Sequence, residues 1–103
     1  MALQWHSSRT EHGATLAFQG ALTRESLQPL WHSRESLVEH GSLIDIDLRE
    51  LSQLDSAGFA LLCDIVHFYA QKGQVRLHHA PAILRDLALL YDLDTWLDAF
   101  IVE

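Results

Sequence analysis

The chain has 103 residues, 49% of them hydrophobic, with 14 acidic and 7 basic side chains and a formal net charge of -7. A chain of this size buries one two-layer core, so we expect a single domain over residues 1–103. The acidic balance argues against binding of nucleic acid or anionic lipid, because both need basic patches. No apolar run approaches the roughly 20 residues of a membrane span, and no secretion signal is recognisable at the N-terminus. With one cysteine, Cys63, no intrachain disulfide forms, and we expect a cytoplasmic protein.

The chain opens on a predicted hairpin. Residues 3–7 and 15–19 have the composition of short strands, and they flank a turn-like segment at residues 11–13. Gly20 ends the second strand.

A helix is predicted next. Thr23 is a good N-cap, and leucines recur at helical spacing until residues 40–41, His-Gly, stop the pattern. Pro29 fits poorly inside a helix, so the alternative is a start near Gln28 with the proline in the first turn.

The most informative segment is a strand, a turn and a capped helix. Alternation over residues 43–48 predicts a half-buried strand, and residues 49–54 are expected to turn. Asp55 or Ser56 then accepts hydrogen bonds from the free amides of a helix running over residues 56–71. The junction is therefore a rigid platform that presents a serine hydroxyl.

The last third predicts a strand at residues 74–78, a helix starting at Pro81 and a closing strand at residues 100–102. The order is β, β, α, β, α, β, α and a closing β. This order predicts an α/β fold, a mixed β-sheet with right-handed crossovers and with the helices packed on one face.

The helix after Ser56 is apolar nearly all round, since only Asp64 and His67 interrupt it. A helix on one face of a small sheet buries one stripe, so a second stripe is covered either by neighbouring helices or by a partner. We give the two explanations equal weight. We call the apolar surface of this helix its apolar ridge. If the chain itself covered this ridge entirely and left no apolar surface elsewhere, a docking function would be excluded.

Three tracts resemble a known family. The element order and the junction Leu-Asp-Ser-Ala-Gly at residues 54–58 are similar to the STAS domain, named for sulfate transporters and anti-sigma factor antagonists. Within it, the tract Leu-Gln-Pro-Leu-Trp at residues 27–31, the junction continued to Leu62, and residues 87–93 resemble the small STAS subunits of bacterial Mla phospholipid-transport ABC complexes. The likeness covers nearly the whole chain.

The resemblance implies a non-catalytic, cofactor-free subunit that binds a cytoplasmic ATPase at the inner membrane and meets the permease only through it, in a system that maintains outer-membrane lipid asymmetry. It also implies an alternative, an anti-sigma factor antagonist regulated by phosphorylation of Ser56. Ala57 departs from the antagonists, which often have a second polar residue there. The expected partner-binding residues are Asp55, Ser56, Ala57, Gly58, Phe59 and Trp31.

Simpler or different roles exist for several of these residues. Sequence chemistry alone favours helix capping as the role of Ser56, and an aromatic residue on an apolar stripe, as Trp31 is, most commonly anchors the core. A Ser-His-Asp hydrolase is disfavoured because its nucleophile turn needs Gly-x-Ser-x-Gly and Leu54 stands at the first glycine. Cys63 and His67 have the spacing of a metal pair but lack further ligands, so we expect a packed thiol and no metal.

The C-terminal end is acidic. From Asp86 onward the chain has five carboxylates and no Lys or Arg. Such a run is commonly a solvated surface, and it also steers a basic partner.

Overall fold

The computed structural model describes residues 2–38 and 43–102. Within them, one sheet has the strand order β1-β2-β3-β4-β5, with β1 antiparallel to β2 and each later pair parallel. The strands are β1 Gln4–Arg9, β2 Gly13–Leu22, β3 Leu43–Leu54, β4 Gln74–His78 and β5 Ile101–Val102. The helices are α1 Gln28–Ser33, α2 Ser56–Ala70, α3 Ala82–Leu90 and α4 Asp94–Asp98. The predicted α/β class and mixed sheet are confirmed.

Side-chain alternation along β3 separates the core from the second face of the sheet. Ile44, Ile46 and Leu48 are fully buried in the core together with side chains of α2. Asp45 points to the other face, where its Oδ1 accepts hydrogen bonds from Arg76 Nε at 2.9 Å and His78 Nε2 at 2.6 Å. Burial raises the pKa of Asp45, but its hydrogen bonds to Arg76 and His78 and the electrostatic interactions with them outweigh that effect, and the net shift is downward.

β3 is longer than its alternation predicts, and the turn expected at residues 49–54 is wrong. The strand continues because its second half pairs with the end of β2, where Leu51 lies opposite Gly20 and Leu54 opposite Leu22. Leu51 and Leu54 are both buried. Register shifts interrupt this pairing, and Gly20 has a φ of 93°, a conformation that glycine adopts without strain.

α1 begins at Gln28 with the proline in its first turn, so the second of the two predicted starts is correct. Thr23 is not an N-cap. Its backbone N–H donates to Ser26 Oγ at 3.0 Å, and that hydroxyl donates to the carbonyl of Ala21 at 2.6 Å, which makes a turn. The helix ends at Ser33, and the predicted stop at residues 40–41 lies outside the described residues.

Tyr69 joins the end of the α1 region to α2. The backbone N–H of Leu37 donates to the Tyr69 hydroxyl at 2.9 Å, and the hydroxyl donates to the carbonyl of Arg34 at 3.0 Å. Burial raises the pKa of Tyr69. One phenol therefore satisfies two backbone groups in a segment without regular structure.

α3 follows Pro81 as predicted and ends in a Schellman motif. The N–H of Leu93 donates to the carbonyl of Ala88 at 2.8 Å, and the N–H of Asp92 donates to that of Leu89 at 3.2 Å. Asp92 has a φ of 59°. α4, which the sequence pattern did not predict, follows directly. The closing strand predicted at residues 100–102 is one residue shorter, since β5 contains only Ile101 and Val102.

The apolar ridge of α2 is covered by the chain itself. Along α2, all of which the structure describes, no large apolar side chain is exposed, and both Phe59 and Leu61 are almost fully buried. The partner-covered alternative is therefore wrong for this ridge, because neighbouring elements pack against both of its sides. Apolar surface remains elsewhere, on Trp31, Ile83, Leu89, Leu90, Tyr91 and Val102.

In the described part of the chain, no helix combines the length and apolar content that crossing a bilayer requires.

Candidate docking site

Ser56 lies at the edge of the sheet where β2 and β3 end. It is the first residue of α2, its side chain is exposed, and its hydroxyl makes no hydrogen bond with any residue in 2–38 or 43–102. Ser56 is therefore not the helix cap. The hydroxyl projects from the start of a rigid helix, at the carboxyl ends of neighbouring parallel strands, where α/β sheets commonly bind their ligands.

Asp55 caps α2 and joins it to the loop after β2. Its Oδ1 accepts a hydrogen bond from the N–H of Gly58 at 2.8 Å, and its Oδ2 accepts one from the N–H of Arg24 at 2.9 Å. Burial raises the pKa of Asp55, but these backbone donors together outweigh it and hold the pKa below its ordinary value. Asp55 is thus ionised at neutral pH, and both of its carboxylate oxygens are engaged in holding the junction together.

Gly58 allows α2 to touch β2. A Cβ at this position would lie 2.0 Å from the carbonyl oxygen of Leu22, a backbone atom that has no room to move. Gly58 is itself buried. The glycine of the predicted junction therefore sets how closely the first turn of α2 approaches the strand, and it does not form contact surface.

A groove runs beside Ser56 between α1 and α2. It encloses about 690 Å³. The residues lining it are Arg24, Leu27, Gln28, Trp31, Ala57, Ala60, Leu61 and Asp64. The structure thus brings two of the predicted partner-binding residues, Trp31 and Ala57, onto one concave surface next to the serine.

Trp31 is held in place at the rim of this groove. The Arg34 guanidinium lies 3.6 Å from the centre of the Trp31 ring, its Nη1 donates to the Trp31 carbonyl at 2.6 Å, and its Nε lies 3.3 Å from Asp64 Oδ2. Trp31 remains 44% exposed, so it is not the core anchor that one interpretation of the sequence expected. A tryptophan fixed by stacking yet open to solvent is suited to binding a partner side chain.

Phe59 lies inside the protein, with 2% of its surface exposed. Its side chain therefore offers almost no surface for the direct partner contact that the sequence predicted. Its ring instead stacks on Tyr91 at a centroid distance of 5.9 Å and an interplanar angle of 19°. Tyr91 is half exposed, so Phe59 positions a surface aromatic residue that the sequence analysis did not include. The unbroken apolar run of five residues that Tyr91 closes, residues 87–91, was the available signal.

The features expected of catalytic or metal sites do not come together in the described residues. No group of three His, Cys, Asp or Glu side chains suited to a metal ion occurs among them. Cys63 is half-buried, and burial raises the pKa of its thiol to about 11, so the thiolate is scarce at neutral pH. His67, whose spacing from Cys63 resembles a metal pair although no metal was predicted, is hydrogen-bonded to Gln71 at 3.0 Å.

Comparison with solved structures identifies the fold. An anti-sigma factor antagonist from Mycobacterium paratuberculosis superimposes with a TM-score of 0.76 at 14% identity, covering 92% of this chain and 82% of that one. The phosphorylated form of the Bacillus cell fate determinant SpoIIAA gives a TM-score of 0.63 at 17% identity, with 98% and 89% covered. At these identities the likeness shows a common fold alone.

Sequence comparison identifies the family. The model described as "Mlab, STAS domain" matches residues 5–103. The intermembrane phospholipid transport system binding protein MlaB of Haemophilus influenzae is 34% identical over 104 residues, covering 96% of this chain and 99% of the relative. MlaB of Escherichia coli K12 is 37% identical over 82 residues, covering 79% and 82%. Because both kinds of match extend over most of the chain, it belongs to the MlaB STAS domain family.

Proposed function

We propose that this chain is a non-catalytic cytoplasmic subunit of a phospholipid-transport ABC system, and that it binds the system's ATPase through the surface around Ser56. The observation that supports this most is the likeness to the phospholipid transport system binding protein MlaB of Haemophilus influenzae, which extends over 99% of that relative. Contact with the permease is then indirect, through the ATPase.

The surface around Ser56 has the properties of a docking platform. The serine is exposed, and the Asp55 cap and the close contact at Gly58 fix its backbone. The groove beside it combines apolar and small side chains, the exposed Trp31 among them, with the polar side chains of Arg24, Gln28 and Asp64. A preorganised surface loses little conformational entropy on binding. Tryptophan is over-represented among the residues that dominate binding energy at protein interfaces.

A binding role agrees with the chemistry of Ser56. A nucleophilic serine needs a base within hydrogen-bonding reach, and the hydroxyl of Ser56 has no such partner among the described residues. Asp55, next to it, is committed to backbone amides. The expected contribution of the subunit is therefore to stabilise the ATPase and support its turnover.

Co-expression with the ATPase of the same transport system tests the proposal. We expect the two proteins to co-purify, and we expect Ser56→Arg and Ala60→Arg to abolish the complex, because a long cationic side chain would occupy the contact surface. Both positions are exposed, so the fold should tolerate the changes.

Ser8→Arg is the matched control. Ser8 is also exposed, and it pairs with Thr15 of β2, seven residues or roughly 23 Å along the strand from Leu22 at the Ser56 end. The proposal is wrong if the unmodified chain does not co-purify with the ATPase, or if Ser56→Arg and Ser8→Arg behave alike.

The second candidate is an anti-sigma factor antagonist switched by phosphorylation of Ser56, and the exposed hydroxyl favours it. A phosphate would add a charge of about -1.5 to -2 beside the ionised Asp55, which already accepts the Gly58 amide at the helix start. Incubation with an anti-sigma factor kinase and ATP, followed by intact-mass measurement, distinguishes the candidates. A single added phosphate that is lost in Ser56→Ala would favour the antagonist.

A further inference from the structure

Among residues 2–38 and 43–102, four of the six exposed large apolar side chains lie on α3 or directly after it. Leu90 is 70% exposed, Leu89 is 64% exposed, and Ile83 and Tyr91 are also open to solvent, whereas Leu84 and Ala88 on the inner side of the helix are buried. Ile83 and Leu90 are seven residues apart and therefore share one face of the helix. We call Ile83, Leu89, Leu90 and Tyr91 the α3 patch.

The α3 patch borders the surface around Ser56. Tyr91 stacks on Phe59, which is three residues after Ser56 in α2. Phe59 lies roughly 200° around the helix from Ala57, which lines the groove. The groove and the α3 patch thus flank the start of α2 on opposite sides, with the exposed serine at the helix end between them.

The charges near the α3 patch select its occupant. Asp86 and Asp92 are exposed on either side of Leu89 and Leu90 in the chain, and Arg85 is the one basic side chain of α3, so that four carboxylates against one guanidinium over residues 83–98 leave this part of the chain acidic. A second copy of this chain would bring carboxylates against carboxylates, and an anionic bilayer would be repelled in the same way. A protein surface with apolar side chains bordered by Lys or Arg fits both the apolar and the charged parts.

We propose that the α3 patch is the second half of the docking surface, and that it receives an apolar area of the ATPase that is bordered by basic side chains. This inference rests on the proposed function. It adds a second contact site on α3, a helix that contributes no residue to the groove. It also specifies the partner surface as an apolar area bordered by basic side chains.

The test is isothermal titration of the ATPase with the unmodified chain and with Leu90→Asp and Leu90→Ala. We expect Leu90→Asp to weaken binding at least about tenfold, because it buries an unpaired charge in an apolar contact, and Leu90→Ala to weaken it less, because alanine only removes part of that contact. The position is largely exposed, so unchanged circular dichroism and melting temperature should accompany the loss.

Val102→Asp is the matched control. Val102 is also an exposed apolar residue, but it pairs with His78 on the sheet face opposite the core. A second arm neutralises Asp86 and Asp92 together by substitution with Asn. Binding by the unmodified chain should weaken with rising salt concentration, and this dependence should become shallower in the double variant.

The possible failures are distinguishable. If the unmodified chain does not bind the ATPase, the proposed function fails and this inference fails with it. If the ATPase binds Leu90→Asp as tightly as the unmodified chain, the inference alone is overturned. It is also overturned if the patch instead mediates self-association, seen as a dimer that Leu90→Asp dissociates, or binding to phosphatidylglycerol vesicles.

Discussion

Asp55 and Arg24 are joined by a hydrogen bond of 2.9 Å from the backbone N–H of Arg24 to the Asp55 carboxylate, across 31 residues of sequence. The same carboxylate caps α2 through Gly58. Arg24 and residues of α2 both line the groove beside Ser56. One ionised side chain thus fixes the relative position of two parts of the proposed docking surface.

Asp55→Asn should destabilise the fold by about 1 kcal/mol at neutral pH, because a neutral amide accepts more weakly than a carboxylate and satisfies fewer backbone donors. The pKa of Asp55 is lowered in the folded state, so its contribution to stability is present above the unfolded-state pKa of about 4. That contribution is lost as the pH falls through the lower folded-state pKa. Urea unfolding of both proteins across this range should show their difference shrinking in acid; a constant difference would contradict the assignment.

Gly58→Ala should destabilise the fold by about 3 kcal/mol, the upper end for an overpacked site, because the new methyl group meets the backbone carbonyl of Leu22. The control is Ala60→Gly in the same helix, where the exposed position should lose only about 1 kcal/mol through backbone entropy. Thermal unfolding monitored by circular dichroism measures both. Equal losses would mean that the close approach of α2 to β2 is not required.

Tyr69→Phe should cost about 1 to 3 kcal/mol, because removal of the hydroxyl leaves the Leu37 N–H and the Arg34 carbonyl without their hydrogen-bonding partner. Tyr91→Phe removes the same atom at a half-exposed position and should leave the unfolding free energy nearly unchanged. Denaturant unfolding compares the two variants. Similar stability of both would show that Tyr69 does not tie the end of the α1 region to α2.

Asp92→Asn should stabilise the fold by about 0.3 to 1 kcal/mol, because a carboxylate at the C-terminus of α3 opposes the helix dipole. Asn tolerates the left-handed backbone at this position, where φ is 59°. Asp86→Asn makes the same change in the middle of α3 and should have less effect. The melting temperatures of the two variants and of the unmodified chain measure these effects. A lower melting temperature for Asp92→Asn than for the unmodified chain would contradict this account of the helix end.

Regular periodicity predicted most of the fold. The bounds of β4 and the start of α2 follow directly from the alternation and from the cap at Asp55, and both are confirmed. The end of β3 was missed because residues 49–53 are mostly polar, a composition typical of turns. Pairing with β2 outweighs that local preference. α4 is too short for its periodicity to be distinguished from a loop.

The location of the free apolar surface required the tertiary structure. The sequence shows that α2 has two apolar sides, but not that α3 covers one of them through Tyr91 and Phe59. The covering helix in turn leaves Leu90 exposed. Trp31 was expected at the docking surface or in the core, and only its stacking on Arg34 places it at the rim of the groove.

The most direct measurement of the central claim is photocrosslinking in the complex with the ATPase. A photoreactive residue in place of Gln28, an exposed residue of the groove, should crosslink to the ATPase, whereas the same residue in place of Ser8 should not. A crosslink at Gln28 alone would support the surface around Ser56 as the binding site. No crosslink at Gln28, or an equal yield at Ser8, would contradict it.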